Sequence, residues 1–104
     1  MSKRDKNLPL TETTYYILLA LTEPAHGYAV MQKVEELSAG QVRIAAGTMY
    51  GAIEILLKKG WITEVSSTDL RRKIYKSTDE GKKYLLADYE RMMQMLTVTA
   101  DIFC

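Results

Sequence analysis

Hydrophobic and polar positions change period several times along the 104 residues, and each change predicts an element. The run Tyr15-Tyr16-Ile17-Leu18-Leu19-Ala20-Leu21 is apolar nearly all round, the pattern of a helix buried on more than one side. Thr11 suits its N-cap and Glu12 its first turn. Thr22-Glu23-Pro24-Ala25-His26-Gly27 then breaks the run. A second helix is expected from about Tyr28 to Ser38, with Val30, Met31, Val34 and Leu37 inward and Ala39-Gly40 closing it. Gln41-Val42-Arg43-Ile44 alternates and reads as a short strand.

The stretch from Gly47 to Gly60 organises the rest. Met49, Ala52, Ile53, Leu56 and Leu57 follow the i, i+3, i+4, i+7, i+8 spacing of a core-facing stripe. The opposite side carries Tyr50, Gly51, Glu54 and Lys58, with Thr48 at the open N-terminal end. Such a helix suits insertion into a groove, although the pattern by itself is that of an ordinary amphipathic surface helix. What favours the groove is the segment that follows. Trp61 to Val65 alternates, residues 66–70 turn, and Lys73 to Ser77 returns, a β-hairpin whose tip and return strand carry Arg71, Arg72, Lys73 and Lys76. Trp61 is expected to anchor this hairpin on the core. Helix, helix, strand, helix, hairpin is the order of a winged helix-turn-helix, so the fold class is mostly α with a small β-hairpin.

Towards the C-terminus a capping box of Ser77 with Glu80, or Thr78 instead, opens a long helix. Leu85, Tyr89, Met92, Leu96, Thr99 and Phe103 recur along it at spacings of 4, 3, 4, 3 and 4, a heptad seam flanked by Leu86, Met93 and Ala100. A helix of about 37 Å carries more apolar surface than so small a domain covers. A homodimer packed through this helix and the first one is therefore expected; the plainer account lays the helix across its own core. The chain divides into a flexible N-terminus (1–9), a winged-helix DNA-binding domain (10–78) and a dimerisation helix (79–104).

Composition narrows the function. Net charge is only +1, but residues 41–77 sum to +4 while residues 11–40 sum to −3 and residues 78–104 to −2. Phosphates respond to such a local patch rather than to the total. No run of 18 apolar residues spans a membrane, and the charges between Met1 and Asn7 precede no apolar signal core. The only cysteine is Cys104, which fits a reducing cytoplasm. One His and one Cys make no four-ligand zinc site, so no metal and no cofactor are expected. An enzyme needs a nucleophile–base pair or paired carboxylates at a cleft, and the residues supply neither. The competing class is a winged-helix protein–protein interaction module without DNA binding; three consecutive basic residues on the wing argue for DNA.

His26-Gly27-Tyr28, Glu35-Glu36-Leu37, Gly47-Thr48-Met49-Tyr50, Lys59-Gly60-Trp61-Ile62, Arg72-Lys73-Ile74-Tyr75 and Thr78-Asp79-Glu80-Gly81 occur in this order. Together they resemble the PadR family of bacterial transcriptional regulators, from about Leu10 to Leu86, in its smaller subgroup with one C-terminal helix. The resemblance implies a winged-helix domain, a C-terminal dimerisation helix and, usually, a repressor that responds to a phenolic, drug-like or other small effector. Ala46 and Gly51 stand where the family often has prolines, Glu54 and Ile55 where it is often basic, and Ile74 and Ser77 where Tyr and Leu are more usual. The operator therefore cannot be borrowed.

Thr48 and Tyr50, hydroxyls at a helix N-terminus, are expected on the DNA backbone, or else as a cap and a packed ring. Gly51 lets the duplex approach, and Glu54 repels phosphate or accepts from a cytosine amino group. Lys58 shares that face. Arg71, Arg72 and Lys73 are the wing's phosphate or minor-groove contacts. Tyr28 resembles a phosphate-contacting position of the family, with core packing as the alternative, and His26 is expected to be structural. For a small apolar or phenolic effector at the dimer centre, Tyr15, Tyr16, Tyr89 and Met92 are the large residues left to line a pocket; packing of the seam accounts for them equally.

Overall fold

The computed structural model describes residues 5–66 and 72–104. Its first helix, α1 (Glu12–Ala20), begins at Thr11, whose Oγ1 accepts from Thr14 N at 3.1 Å. Ile17, Leu18 and Ala20 are buried, while Tyr15, Tyr16 and Leu19 are half-buried against the core. That spread around the helix is what its unbroken apolar run requires. Strand β1 (Ala25–His26) and helix α2 (Gly27–Leu37) follow. Val30 and Val34 of α2 face inward as expected, but Leu37 is 41% exposed. Past Leu37 the chain turns through Ala39 and Gly40, both at positive φ, and Gly40 N donates to Glu35 O at 2.8 Å.

Residues 41–44 form no strand, which corrects the reading of their alternation. Val42 and Ile44 are both buried in the core, and Val42 N donates to the buried Ser38 Oγ at 2.9 Å instead of to a neighbouring strand. Alternation here records an extended loop with every second side chain in the core, and it carries no information about ladder partners. The third strand is β1, two residues long, hidden in the segment read as a helix break.

Helix α3 (Ala46–Lys59) buries Met49, Ile53 and Leu56, and Gly60 ends it at φ +75°, a left-handed conformation that favours glycine. Leu57, expected inward, lies at the rim, because it sits at the edge of the arc defined by the other three. Strands β2 (Ile62–Val65) and β3 (Ile74–Ser77) pair antiparallel with Ile62 opposite Ser77 and Val65 opposite Ile74. The outer strand β1 pairs with β3, setting Ala25 opposite Tyr75 and His26 opposite Ile74, so the sheet order is β1-β3-β2.

Thr78, not Ser77, caps α4 (Asp79–Phe103): its Oγ1 accepts from Gly81 N at 3.1 Å. Ser77 is buried and donates to Leu18 O at 2.8 Å. Thr78 Oγ1 also donates to Gly60 O, and Thr78 N to Trp61 O at 2.9 Å. A Cβ on Gly81 would collide with that same Trp61 carbonyl. Trp61 stacks on Tyr84 of α4 with ring centroids 4.5 Å apart, and Lys59 Nζ sits 4.7 Å over its ring. The C-terminal end of α3 and the start of α4 are thereby fixed to one another. From Asp5 onward the N-terminal segment adds to this junction: Tyr84 Oη donates to Asp5 Oδ2 at 3.1 Å, and Lys59 Nζ to Asn7 Oδ1 at 3.1 Å.

Candidate nucleic-acid interface

Because α3 puts Met49, Ile53 and Leu56 in the core, Thr48, Tyr50, Gly51, Glu54 and Lys58 fall on its solvent side, and all five are exposed. Tyr50 is 51% exposed, its ring resting against the backbone at Gly27, where an added Cβ would stand 2.9 Å from ring carbon Cε1 and the hydroxyl. A side chain at this position would displace the tip of the Tyr50 ring from the start of α2. At Gly51 an added Cβ meets nothing within 4 Å, so the surface there is open.

Next to this face is a cleft of about 400 Å³ between α2, α3 and β3, lined by His26, Gly27, Tyr28, Tyr50, Arg72, Lys73 and Tyr75. Tyr28, Tyr50, Arg72 and Lys73, four residues from three separate stretches of sequence, come together in it. Thr48, Gly51, Glu54 and Lys58 continue along α3 outside it, and Arg71 lies outside the described residues. Among the described residues, no carboxylate lines the cleft. Burial, with Glu64 and Tyr50 nearby, raises the Tyr75 hydroxyl above its usual range, which keeps it a neutral group at the cleft floor. A surface of hydroxyls and cations without acids is suited to phosphate oxygens.

His26 was expected to be structural, and its Nδ1 does cap α2 by accepting from Ala29 N at 3.3 Å. Its Nε2 faces the other way, 3.4 Å from Arg72 Nη1. The β1–β3 pairing brings His26 to the root of the wing, and the sequence signals a two-residue strand only weakly, so this placement went unanticipated.

The residues considered for an effector divide differently. Tyr15, Tyr16 and Met92 line a groove of about 490 Å³ between α1 and α4, together with Leu10, Leu19 and Leu37 on the apolar side and Asp88 and Arg91 on the polar side. Tyr89 is exposed and does not line it. Asp88 is 1% exposed, and its Oδ1 accepts from Arg91 Nε at 2.6 Å. Along the seam, Leu85 is buried in the chain's own core and Met92 is half-buried, whereas Tyr89, Leu96, Thr99 and Phe103 are exposed. Thr99 Oγ1 donates back to Met95 O at 2.7 Å. Among the described residues no helix is long and apolar enough to cross a membrane, and no three His, Cys, Asp or Glu side chains are grouped to hold a metal.

Three helices, a three-stranded wing sheet and an open recognition face define a winged-helix protein of the DNA-binding class. A model of the transcriptional regulator PadR-like family matches residues 17–87, well over half the chain, and the chain belongs to this family. Its members are transcriptional regulators, not enzymes. A PadR family transcriptional regulator from Eggerthella lenta is 25% identical, with a TM-score of 0.69 over 86% of this chain and 79% of that one. RosR from H. salinarum is 26% identical, with a TM-score of 0.68 over 91% and 94%. A transcriptional regulator from Clostridium thermocellum, at 22% identity and a TM-score of 0.69 over 88% and 92%, shares the fold. No curated protein matches the sequence.

Proposed function

We propose that the chain is a homodimeric regulator, acting as a repressor, that sets the two α3 helices in successive major grooves of a pseudo-palindromic operator about 34 Å apart. The observation that carries the DNA reading is the cleft in which Tyr28, Tyr50, Arg72 and Lys73 converge beside the exposed face of α3, with no carboxylate among its described lining residues. Phosphate contacts from these groups and from the wing would fix the register. Thr48, Gly51, Glu54 and Lys58 would then face base edges and backbone along the groove.

The dimer reading rests on α4. Beyond Met92 every residue of this helix is exposed, including Leu96 at 62% and Phe103 at 82%. A second apolar strip, Met95, Val98 and Ile102 (75% exposed), runs about a third of a turn away from the seam. A two-helix coil covers only one of these strips. The α1–α4 groove of a second copy supplies a matching apolar surface for the other, so the dimer would be held by α4 against both α4 and α1 of the partner.

The decisive experiment is retarded migration of the DNA upstream of the gene that encodes this chain. Sub-micromolar binding that resists competing DNA is the expected result. Absence of binding to that DNA and to any duplex at low salt would overturn the reading and leave the protein-interaction module in its place.

A further inference from the structure

The imidazole of His26 has one lone pair in its neutral form, and Ala29 N–H takes it at Nδ1. The proton of the ring is therefore on Nε2, which faces Arg72 Nη1 at 3.4 Å. A guanidinium only donates. Two N–H donors thus stand side by side at the cleft, one from the N-cap of α2 and one from the wing two residues before β3, next to the His26–Ile74 pair. The other tautomer would set the Nδ1 proton against Ala29 N–H, and the cap of α2 disfavours it. Two neighbouring donors fit a single acceptor carrying several lone pairs.

We infer that His26 Nε2–H and the Arg72 guanidinium together grip one phosphate of the DNA backbone, so that His26 is a DNA-binding residue as well as the cap of α2. This rests on the DNA reading above and adds a contact that ties α2 and the wing to the same phosphate. Tyr50 Oη and the Lys73 ammonium line the same cleft and bear on that phosphate or its neighbour.

The test uses a mixed-sequence 30-base-pair duplex at low salt, where backbone contacts dominate binding, and three variants: His26→Asn, Arg72→Gln and the double variant. Asn keeps a capping oxygen for α2, and Arg72 is exposed, so both chains fold; thermal unfolding verifies this. His26→Asn should lose roughly ten-fold in affinity, as expected for one hydrogen bond to a charged group. It should leave the slope of log affinity against log salt unchanged, because a neutral donor displaces no counterion. Arg72→Gln should lose affinity and flatten that slope by about 0.9. The double variant should lose clearly less than the product of the two, because both donors share one acceptor. Independently, inorganic phosphate added to the ¹⁵N-labelled wild type should shift the His26 Nε2 resonance, and Arg72→Gln should weaken that response. If His26→Asn binds the duplex as tightly as wild type, or if the losses multiply independently, the shared phosphate is wrong while DNA binding stands. Failure of the wild type to bind any duplex removes both readings.

Discussion

Single positions on α3 separate contact with DNA from stability more cleanly than truncations do. Gly51 lies mid-helix on the exposed face, with no atom within 4 Å of an added Cβ. Gly51→Ala should therefore stabilise the fold by about 1 kcal/mol through helix propensity. If a duplex packs against this face, the added methyl should cost about 1–3 kcal/mol of binding, at least several-fold in affinity. A higher melting temperature with weaker DNA binding is the expected pair of results. Unchanged affinity would move the duplex off this part of α3. Tyr15 gives a pH signature at the other end of the molecule. Burial foremost, then the neighbouring Asp88 carboxylate, raises its hydroxyl above the ordinary value of 10.0. The folded state then holds this proton to higher pH than the unfolded chain does, so the stabilisation is complete below pH about 10 and is lost as pH rises past it. Melting temperature should fall between pH about 9.5 and 11, and Tyr15→Phe should fall less; parallel curves for the two proteins would show that Tyr15 does not contribute.

Elements were legible in the sequence to the extent that their signal was periodic or chemically capped. The wing illustrates both sides. Replacing Arg71, Arg72 and Lys73 together by Ala should weaken binding to every duplex and flatten the salt slope by about 0.9 for each phosphate contact removed. Retained affinity with an unchanged slope would show that the wing does not touch DNA. The basic run and the alternating strands made this hairpin readable, as helical spacing did for α3 and Thr11 for the start of α1. Strand β1 was not readable, because two residues next to Pro24 carry no period and pair only through tertiary register. Residues 41–44 misled for the opposite reason: their alternation is real, yet it records burial of Val42 and Ile44 from a loop held by Ser38. Within the site, side-chain type pointed to Tyr28, Tyr50, Arg72 and Lys73. His26 needed the β1–β3 register to be placed, and the contact of Gly27 with Tyr50 needed the position of the Tyr50 ring.

At the scale of the whole molecule, the proposed dimer and any effector response would depend on the same surface. Light scattering at micromolar concentration should give twice 11.8 kDa, and Met92→Lys should give monomer, because it puts an unpaired charge at the edge of the seam. A wild type that stays monomeric would remove the dimer. We propose the α1–α4 groove as the place where a small effector would bind. Tyr15, Tyr16 and Met92 provide an apolar wall, the two tyrosine rings meeting edge to face with centroids 6.5 Å apart, and the Arg91–Asp88 pair provides a polar end. If α4 of a partner lies over this groove, a flat apolar or phenolic molecule competes with, or completes, that packing and thereby changes the spacing of the two α3 helices. An effector must bind the free and DNA-bound dimers with different affinities. Planar phenolic compounds titrated against the protein should therefore raise its melting temperature and lower operator affinity by the same coupling factor with which DNA lowers affinity for the compound. Tyr16→Ala should abolish both responses together, while Tyr89→Ala, outside the groove, should leave them in place. A compound that stabilises the fold but leaves operator affinity unchanged would be a passenger in the groove, and regulation through this site would be excluded for that class of molecule.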